Sequence, residues 1–396
     1  MELKCVPQIY DWGKKGEASF VARLLAANNK DFKIDPNIPY AELWMGTHPN
    51  GESIIKETGE PLIDYLKKNP AKMGIAQNML GGDLPFLFKV LSIQKALSIQ
   101  AHPDKELAKK LNEVYPDRYK DKNHKPELAI ALTDFECLVG FRPLNEIIRF
   151  LDIVPELSRL FSRDVLDKFS GEGQTTAAGL FNALMNTSEQ KIRANLIELV
   201  ERLEGSVRKV REDCLYHLIN KLNTEFPHDV GCFAIYFLNY LKLKPGEAVF
   251  LPAGLPHAYL SGDIVECMAC SDNVVRAGLT PKLRDVRTLC NMLDYTSFPP
   301  STLICKSKKT DGISTIYKTP VKDFGVSMID IPPFQTYLFP RQHSCSIIIV
   351  IDGKGDSMSF KVEPGNVVFF DTEADIEVIN PNNESIKIFQ AYCKLD

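Results

Sequence analysis

Two short segments and one distant histidine carry the side chains best suited to chemistry. In Leu97-Ser98-Ile99-Gln100-Ala101-His102, an extended backbone projects Ser98, Gln100 and His102 from one face and Leu97, Ile99 and Ala101 from the other. In His124-Lys125-Pro126-Glu127 the same parity sets Lys125 and Glu127 on one side, with His124 and Pro126 opposite. His257 closes the turn Pro252-Ala253-Gly254-Leu255-Pro256-His257. Taken alone it is as readily a surface-turn histidine; its weight comes from the partners. Gln100, His102, Glu127 and His257 would offer a carboxamide oxygen, two imidazoles and a carboxylate, a set suited to Zn²⁺ at roughly 2.0 to 2.2 Å per bond. With no thiolate, softness alone does not reject Mn²⁺, Co²⁺ or Fe²⁺. Structural zinc usually takes four Cys or His ligands, so this composition predicts a functional metal that polarises a carbonyl or hydroxyl oxygen.

The elements that must hold these residues belong to a folded protein of more than one core. At 396 residues the chain predicts two or three domains, and its 44% hydrophobic and 25% charged composition excludes disorder. A formal net charge of -4 argues against nucleic acid or a membrane surface as partner, leaving room for a local pocket for a small anion. The ten cysteines have no regular spacing and read as reduced thiols in a cytoplasmic protein. Cys267-x-x-Cys270 lacks the second pair that a zinc site needs. The longest apolar run, Cys232 to Leu238, is too short to span a bilayer, Met1-Glu2-Leu3-Lys4 lacks an export core, and Lys394 and Asp396 make a poor prenylation signal around Cys393.

Along the chain, Pro85 to Ile93 reads as a buried strand carrying one cation, Lys89, and Asp104 as the cap of a helix with Leu107 and Leu111 on one face. Residues 143–230 switch to apolar positions three and four apart, as in Ile192, Leu196, Leu199 and Leu203, with Thr187 and Gln190 forming a capping box ahead of them. This predicts a helical insertion. Cys232 to Phe237 restores strand character. Pro245-Gly246-Glu247-Ala248-Val249-Phe250-Leu251 and Pro364-Gly365-Asn366-Val367-Val368-Phe369-Phe370 share one pattern, a turn feeding a buried strand, which suggests two related β units. The second has no histidine and would hold no metal.

Gly246 to His257 resembles the second motif of the cupin superfamily. Ser98 to Lys105, Tyr119-x-Asp121-x-Asn123-His124-Lys125-Pro126-Glu127 and Pro252 to Tyr259 resemble the type I phosphomannose isomerases, as do Ala41 to Pro49 and Ser271 to Lys282. The likeness covers essentially the whole chain. It implies a fold that is mainly β with a helical insertion: a catalytic cupin-like β domain from residues 1–142 plus 231–300, a helical domain from 143–230 and a metal-free cupin-like β domain from 301–396. It also implies one Zn²⁺ per chain on Gln100, His102, Glu127 and His257, a monomer, and interconversion of mannose 6-phosphate and fructose 6-phosphate, feeding GDP-mannose synthesis and glycosylation. For Arg276 it implies an active-site role.

Moving a carbonyl between C1 and C2 needs a base that carries a proton between the two carbons and donors for the enediol oxygens. Glu266, in the apolar run Ile264-Val265-Glu266-Cys267-Met268, is costly to bury unless paired or functional; an internal salt bridge and a general base are both open. Lys125 and Asp272 are further candidates. Arg276 and Lys282 would bind phosphate, with Lys89 and Ser98 next, and Arg276 would alternatively stabilise the enediolate. His48 and His124 are read as structural. The competing functions are a metal-dependent cupin dioxygenase and a non-catalytic cupin that binds a sugar phosphate. Gln100 as a fourth ligand and the surrounding cations favour the isomerase.

Overall fold

The computed structural model describes residues 1–170 and 177–394. The fold is mainly β with a helical insertion, and residues 171–176 of that insertion lie outside the described residues. Two large sheets, of ten and eight strands among the described residues, carry the β structure. The ten-stranded sheet is organised around the long strand His257–Ala269. Its C-terminal part pairs antiparallel with Phe86–Ile93 and Glu127–Ala131, and its first residues pair with Ile99–Ala101 and Phe135–Phe141. The change from one set of partners to the other falls at Gly262, where φ is 116° and a Cβ would lie 2.6 Å from the Asp134 carbonyl oxygen. Only glycine fits such a corner.

The eight-stranded sheet is built mostly from residues 307–392, but its edge is Glu2–Lys4 followed by Ile54–Ile55. The chain's beginning therefore closes the sheet of its end, with Leu3 opposite Val367. The two Pro-Gly turns deliver Ala248–Leu251 and Val367–Phe370 as strands, with Gly246 and Gly365 at φ 86° and 82°. One apolar core crosses between the sheets, joining Leu43, Phe88 and Val265 to Ile347 and Phe389.

Helices fill the region between Leu144–Ile153 and Tyr216–Glu225. In Glu189–Glu204 the residues Ile192, Leu196, Leu199 and Leu203 are all buried, and the cap is Ser188, whose Oγ accepts from Lys191 N, in place of the expected Thr187. Cys232 to Phe237 is not a strand: Gly231–Ala234 is a helical turn, wholly buried. A short continuous apolar run lacks the alternation that separates a buried strand from a buried helix, so tertiary packing decides. The helical core also takes in Ile99, Ala101, Val275 and Ala277. These are the apolar faces of the two strands whose alternate residues are Gln100 and Arg276, so the insertion packs directly behind those two side chains.

Candidate metal centre and the cavity above it

His102 follows the strand Ile99–Ala101, Glu127 opens the strand Glu127–Ala131, and His257 opens the long strand. Register brings them together. His257 is opposite Gln100, and Gln100 is opposite Arg276 on its other side, while Glu127 lies between Leu251 and Met268. The His102 carbonyl accepts from Gly254 N at 2.9 Å, tying the first segment to the turn before His257.

His102 Nε2 is 3.3 Å from Glu127 Oε1, and His257 Nε2 is 3.2 Å from Glu127 Oε2. All three residues are buried. Each histidine donates its Nδ1–H to a carbonyl, His102 to Asn273 at 2.7 Å and His257 to Leu255 at 2.9 Å, which leaves a lone pair on each Nε2. Burial pushes the His102 imidazole down to about 4, so it is neutral at pH 7. Burial by itself would raise Glu127, but the Lys125 ammonium holds its carboxyl well below the usual range. Two imidazole lone pairs thus face a carboxylate, and among the described residues His102 Nε2, His257 Nε2 and Glu127 Oε2 have no hydrogen-bond partner. Buried acceptors in mutual contact are costly unless a cation lies among them. His102, Glu127 and His257 fit a metal ion, and Gln100 stands opposite His257 on the cavity wall.

Above the cluster lies a cavity of about 580 Å³. Its walls hold Lys89, Ser98, Gln100, Lys125, Glu127, Glu266, Asp272, Arg276 and Lys282; His102 and His257, fully buried, lie behind Glu127. Lys125 Nζ is 3.1 Å from Glu127 Oε1, on the side that the residue parity predicts. The opposite-facing His124 turns its Nε2 to Asp323, at 3.1 and 3.2 Å from the two carboxylate oxygens. Arg276 is half-buried and, among the described residues, has no ion-pair partner; burial lowers its pKa. Lys282 is exposed at the cavity's edge. Asp272 is also on the rim, with Oδ1 3.2 Å from His48 Nε2 and its backbone N donating to Asp121 Oδ2. That His48 contact is the chief reason its carboxyl lies below its ordinary value.

A buried charge network forms another wall. Lys89 Nζ is 3.2 Å from Glu266 Oε2 and 3.6 Å from Glu42 Oε2. Tyr259 OH donates to Glu266 Oε1 at 2.8 Å, Trp44 Nε1 donates to Glu42, and the Trp44 ring lies 4.9 Å from Lys89 Nζ. Burial would lower Lys89, yet Glu42 and Glu266 hold it above the usual lysine value, so it stays charged. Burial raises Glu266 against the pull of Lys89. Sequence reasoning did not assign Glu42, Trp44 or Tyr259 to the site. The signal was present for Glu42: the apolar runs Tyr40–Met45, Phe86–Ile93 and 264–269 each carry a single charge, Glu42, Lys89 and Glu266, and buried charges must find one another.

Family models described as phosphomannose isomerase type I match residues 1–144, as the catalytic domain, and 153–238, as the helical insertion domain. The mannose-6-phosphate isomerase of Macaca fascicularis is 43% identical across 99% of this chain and 98% of its own length. The chain belongs to the type I phosphomannose isomerase family. Among solved structures, the apo mannose 6-phosphate isomerase of Salmonella typhimurium superposes with a TM-score of 0.83 at 32% identity, over 100% of this chain and 99% of that one. A mannose 6-phosphate isomerase bound with zinc and yttrium matches with the same score, identity and coverage. As a type I phosphomannose isomerase the chain is an isomerase with a cupin-like β architecture and a helical insertion.

Proposed function

We propose that the chain interconverts mannose 6-phosphate and fructose 6-phosphate by proton transfer through an enediol, with one Zn²⁺ held by Gln100, His102, Glu127 and His257. The observation that carries the reading is the cluster of buried acceptors from His102, Glu127 and His257, unpartnered among the described residues, beneath a cavity that Arg276 lines. When bound, Zn²⁺ would supply Lewis-acid polarisation of the sugar oxygens. Glu266 moves the proton: its raised pKa suits a carboxylate that must both take and return it. Tyr259 and Lys89 fix its two oxygens, so Lys89, enclosed by two carboxylates, tunes Glu266 and does not grip phosphate. Lys125 orients Glu127 and is the second proton-bearing group in the same wall, while Asp272, held by His48, shapes the rim. Arg276 stabilises the developing enediolate, and Lys282 with Ser98 receives the phosphate.

The chain would work as a cytoplasmic monomer supplying mannose activation for GDP-mannose. Its catalytic domain would comprise 1–142 plus 231–300, with 143–230 as the helical domain and 301–396 as the C-terminal β domain, the first domain lending strands Glu2–Lys4 and Ile54–Ile55 to the last. Purified protein should convert mannose 6-phosphate to fructose 6-phosphate, lose activity to a chelator and regain it with Zn²⁺. Sugar-phosphate binding without turnover would overturn the reading in favour of a sensor, and turnover requiring Fe²⁺ and O₂ would overturn it in favour of an oxygenase.

A further inference from the structure

We propose that Asp229, in the helical insertion, is the positioning residue that sets the Arg276 to Lys282 loop against the cavity, an inference that rests on the isomerase reading above. After the strand Val275–Gly278 the chain turns through Leu279 at φ 53°, a left-handed conformation that side-chain-bearing residues avoid. One carboxylate holds that turn. Asp229 Oδ1 accepts from Leu279 N at 2.7 Å and from Gly231 N at 2.6 Å, and Oδ2 accepts from Thr280 N at 3.3 Å. Two of the three donors lie in the loop and one in the helical turn Gly231–Ala234.

The contact leaves no slack. A Cβ on Gly278 would lie 2.7 Å from Gly231 N and 2.8 Å from Asp229 Oδ1, and a Cβ on Gly231 would lie 2.7 Å from Leu279 N. Val275 and Ala277 enter the helical core with Phe233, which leaves Arg276 on the cavity side. Arg276 is therefore fixed twice: laterally by its ladder position opposite Gln100, and along the chain by the Asp229 clamp. Lys282 begins just beyond the clamp, its backbone N donating to Thr280 Oγ1 at 3.1 Å. Asp229 acts on substrate only through these two cations. The helical insertion thereby determines where the cationic side of the cavity lies.

The test uses zinc-loaded wild type, Asp229→Ala, Asp229→Asn and Gly278→Ala, with mannose 6-phosphate as substrate and inorganic phosphate as competitive probe. Asp229→Ala should lower kcat/KM by about 10- to 100-fold, the scale of an ångström of misplacement, and weaken phosphate inhibition. Metal content should be unchanged. Asp229→Asn, which keeps the Oδ1 acceptor for Gly231 and Leu279, should recover most of the loss. A merely structural role would lower the melting temperature while kcat/KM per folded, metal-loaded molecule and phosphate inhibition stay at wild-type values, and that result overturns the proposal. Should Asp229→Ala not fold, Gly278→Ala decides, because its methyl group wedges the same contact apart; wild-type kinetics in both Gly278→Ala and Asp229→Asn overturn the proposal. A wild type that does not convert mannose 6-phosphate refutes the isomerase reading instead.

Discussion

Lys89→Met tests the account of the buried charge network most directly. Lys89 and Glu266 are 8% and 4% exposed at their side chains, 3.2 Å apart, with Glu42 on the other side of the ammonium. Methionine fills a similar volume, so the perturbation is electrostatic: two carboxylates are left without their shared cation. Removing one partner of a buried pair costs roughly 3 to 5 kcal/mol, since the remaining charge is uncompensated. The cost should depend on pH in a defined direction. Glu266 already lies above its ordinary value, chiefly from burial, with Lys89 pulling it back; without Lys89 it rises further. For an acid raised in the folded state, the native protein holds a proton that the unfolded chain has released, so stability falls as pH climbs from the unfolded toward the folded pKa. The penalty of Lys89→Met should thus be small near pH 4 and approach its full size by pH 8. Urea denaturation followed by circular dichroism at both pH values, for wild type and variant, measures it. Lys89→Met with Glu266→Gln should recover part of the loss at pH 8. A penalty below about 1 kcal/mol at pH 8, the scale of a surface pair, or one independent of pH, would refute the reasoning.

Three further outcomes follow from the geometry. His257→Ala should lose metal and activity together, because one of the two ring nitrogens facing Glu127 disappears; full occupancy by elemental analysis would show that the ligand assignment is wrong. Arg276→Ala should retain metal while kcat falls on the order of 10²- to 10³-fold, as when one donor to a developing oxyanion is removed, and steady-state kinetics on metal-replete protein would expose a smaller effect. Gly262→Ala should destabilise the fold by about 1 to 3 kcal/mol, since a methyl group at φ 116° would press on the Asp134 carbonyl; a melting temperature equal to wild type would contradict the tight corner drawn for the long strand.

Much of the site was legible in local pattern. Strand parity alone set Lys125 beside Glu127 and turned His124 away, and both contacts are present. Asp104 was readable as a cap and accepts from Leu107 N at 2.7 Å. The three- and four-residue spacing of Ile192 to Leu203 marked the insertion, and the Pro-Gly repeats marked two strands, because turns and amphipathic periods depend on neighbours in sequence. Cys232 to Phe237 was misread as a strand for the converse reason: a residue buried on every side leaves no period to read. The partners of Glu42, Lys89 and Glu266 were equally hidden, since a charge in an apolar run announces a need without naming what meets it.

What sequence determined, then, is the chemistry of each segment: which side chains share a face, where turns fall, and which residues bear nitrogen, oxygen or charge. Tertiary structure decided how those segments meet. The row Arg276, Gln100, His257 exists only as register between the strand Ile99–Ala101 and two strands far downstream of it, His257–Ala269 and Val275–Gly278. The closing of the last sheet by Glu2–Lys4, and the reach of Asp229 from the helices to the Leu279 turn, are likewise long-range pairings. Such contacts are selected by the joint burial of whole faces, a property of the folded chain that no local window contains.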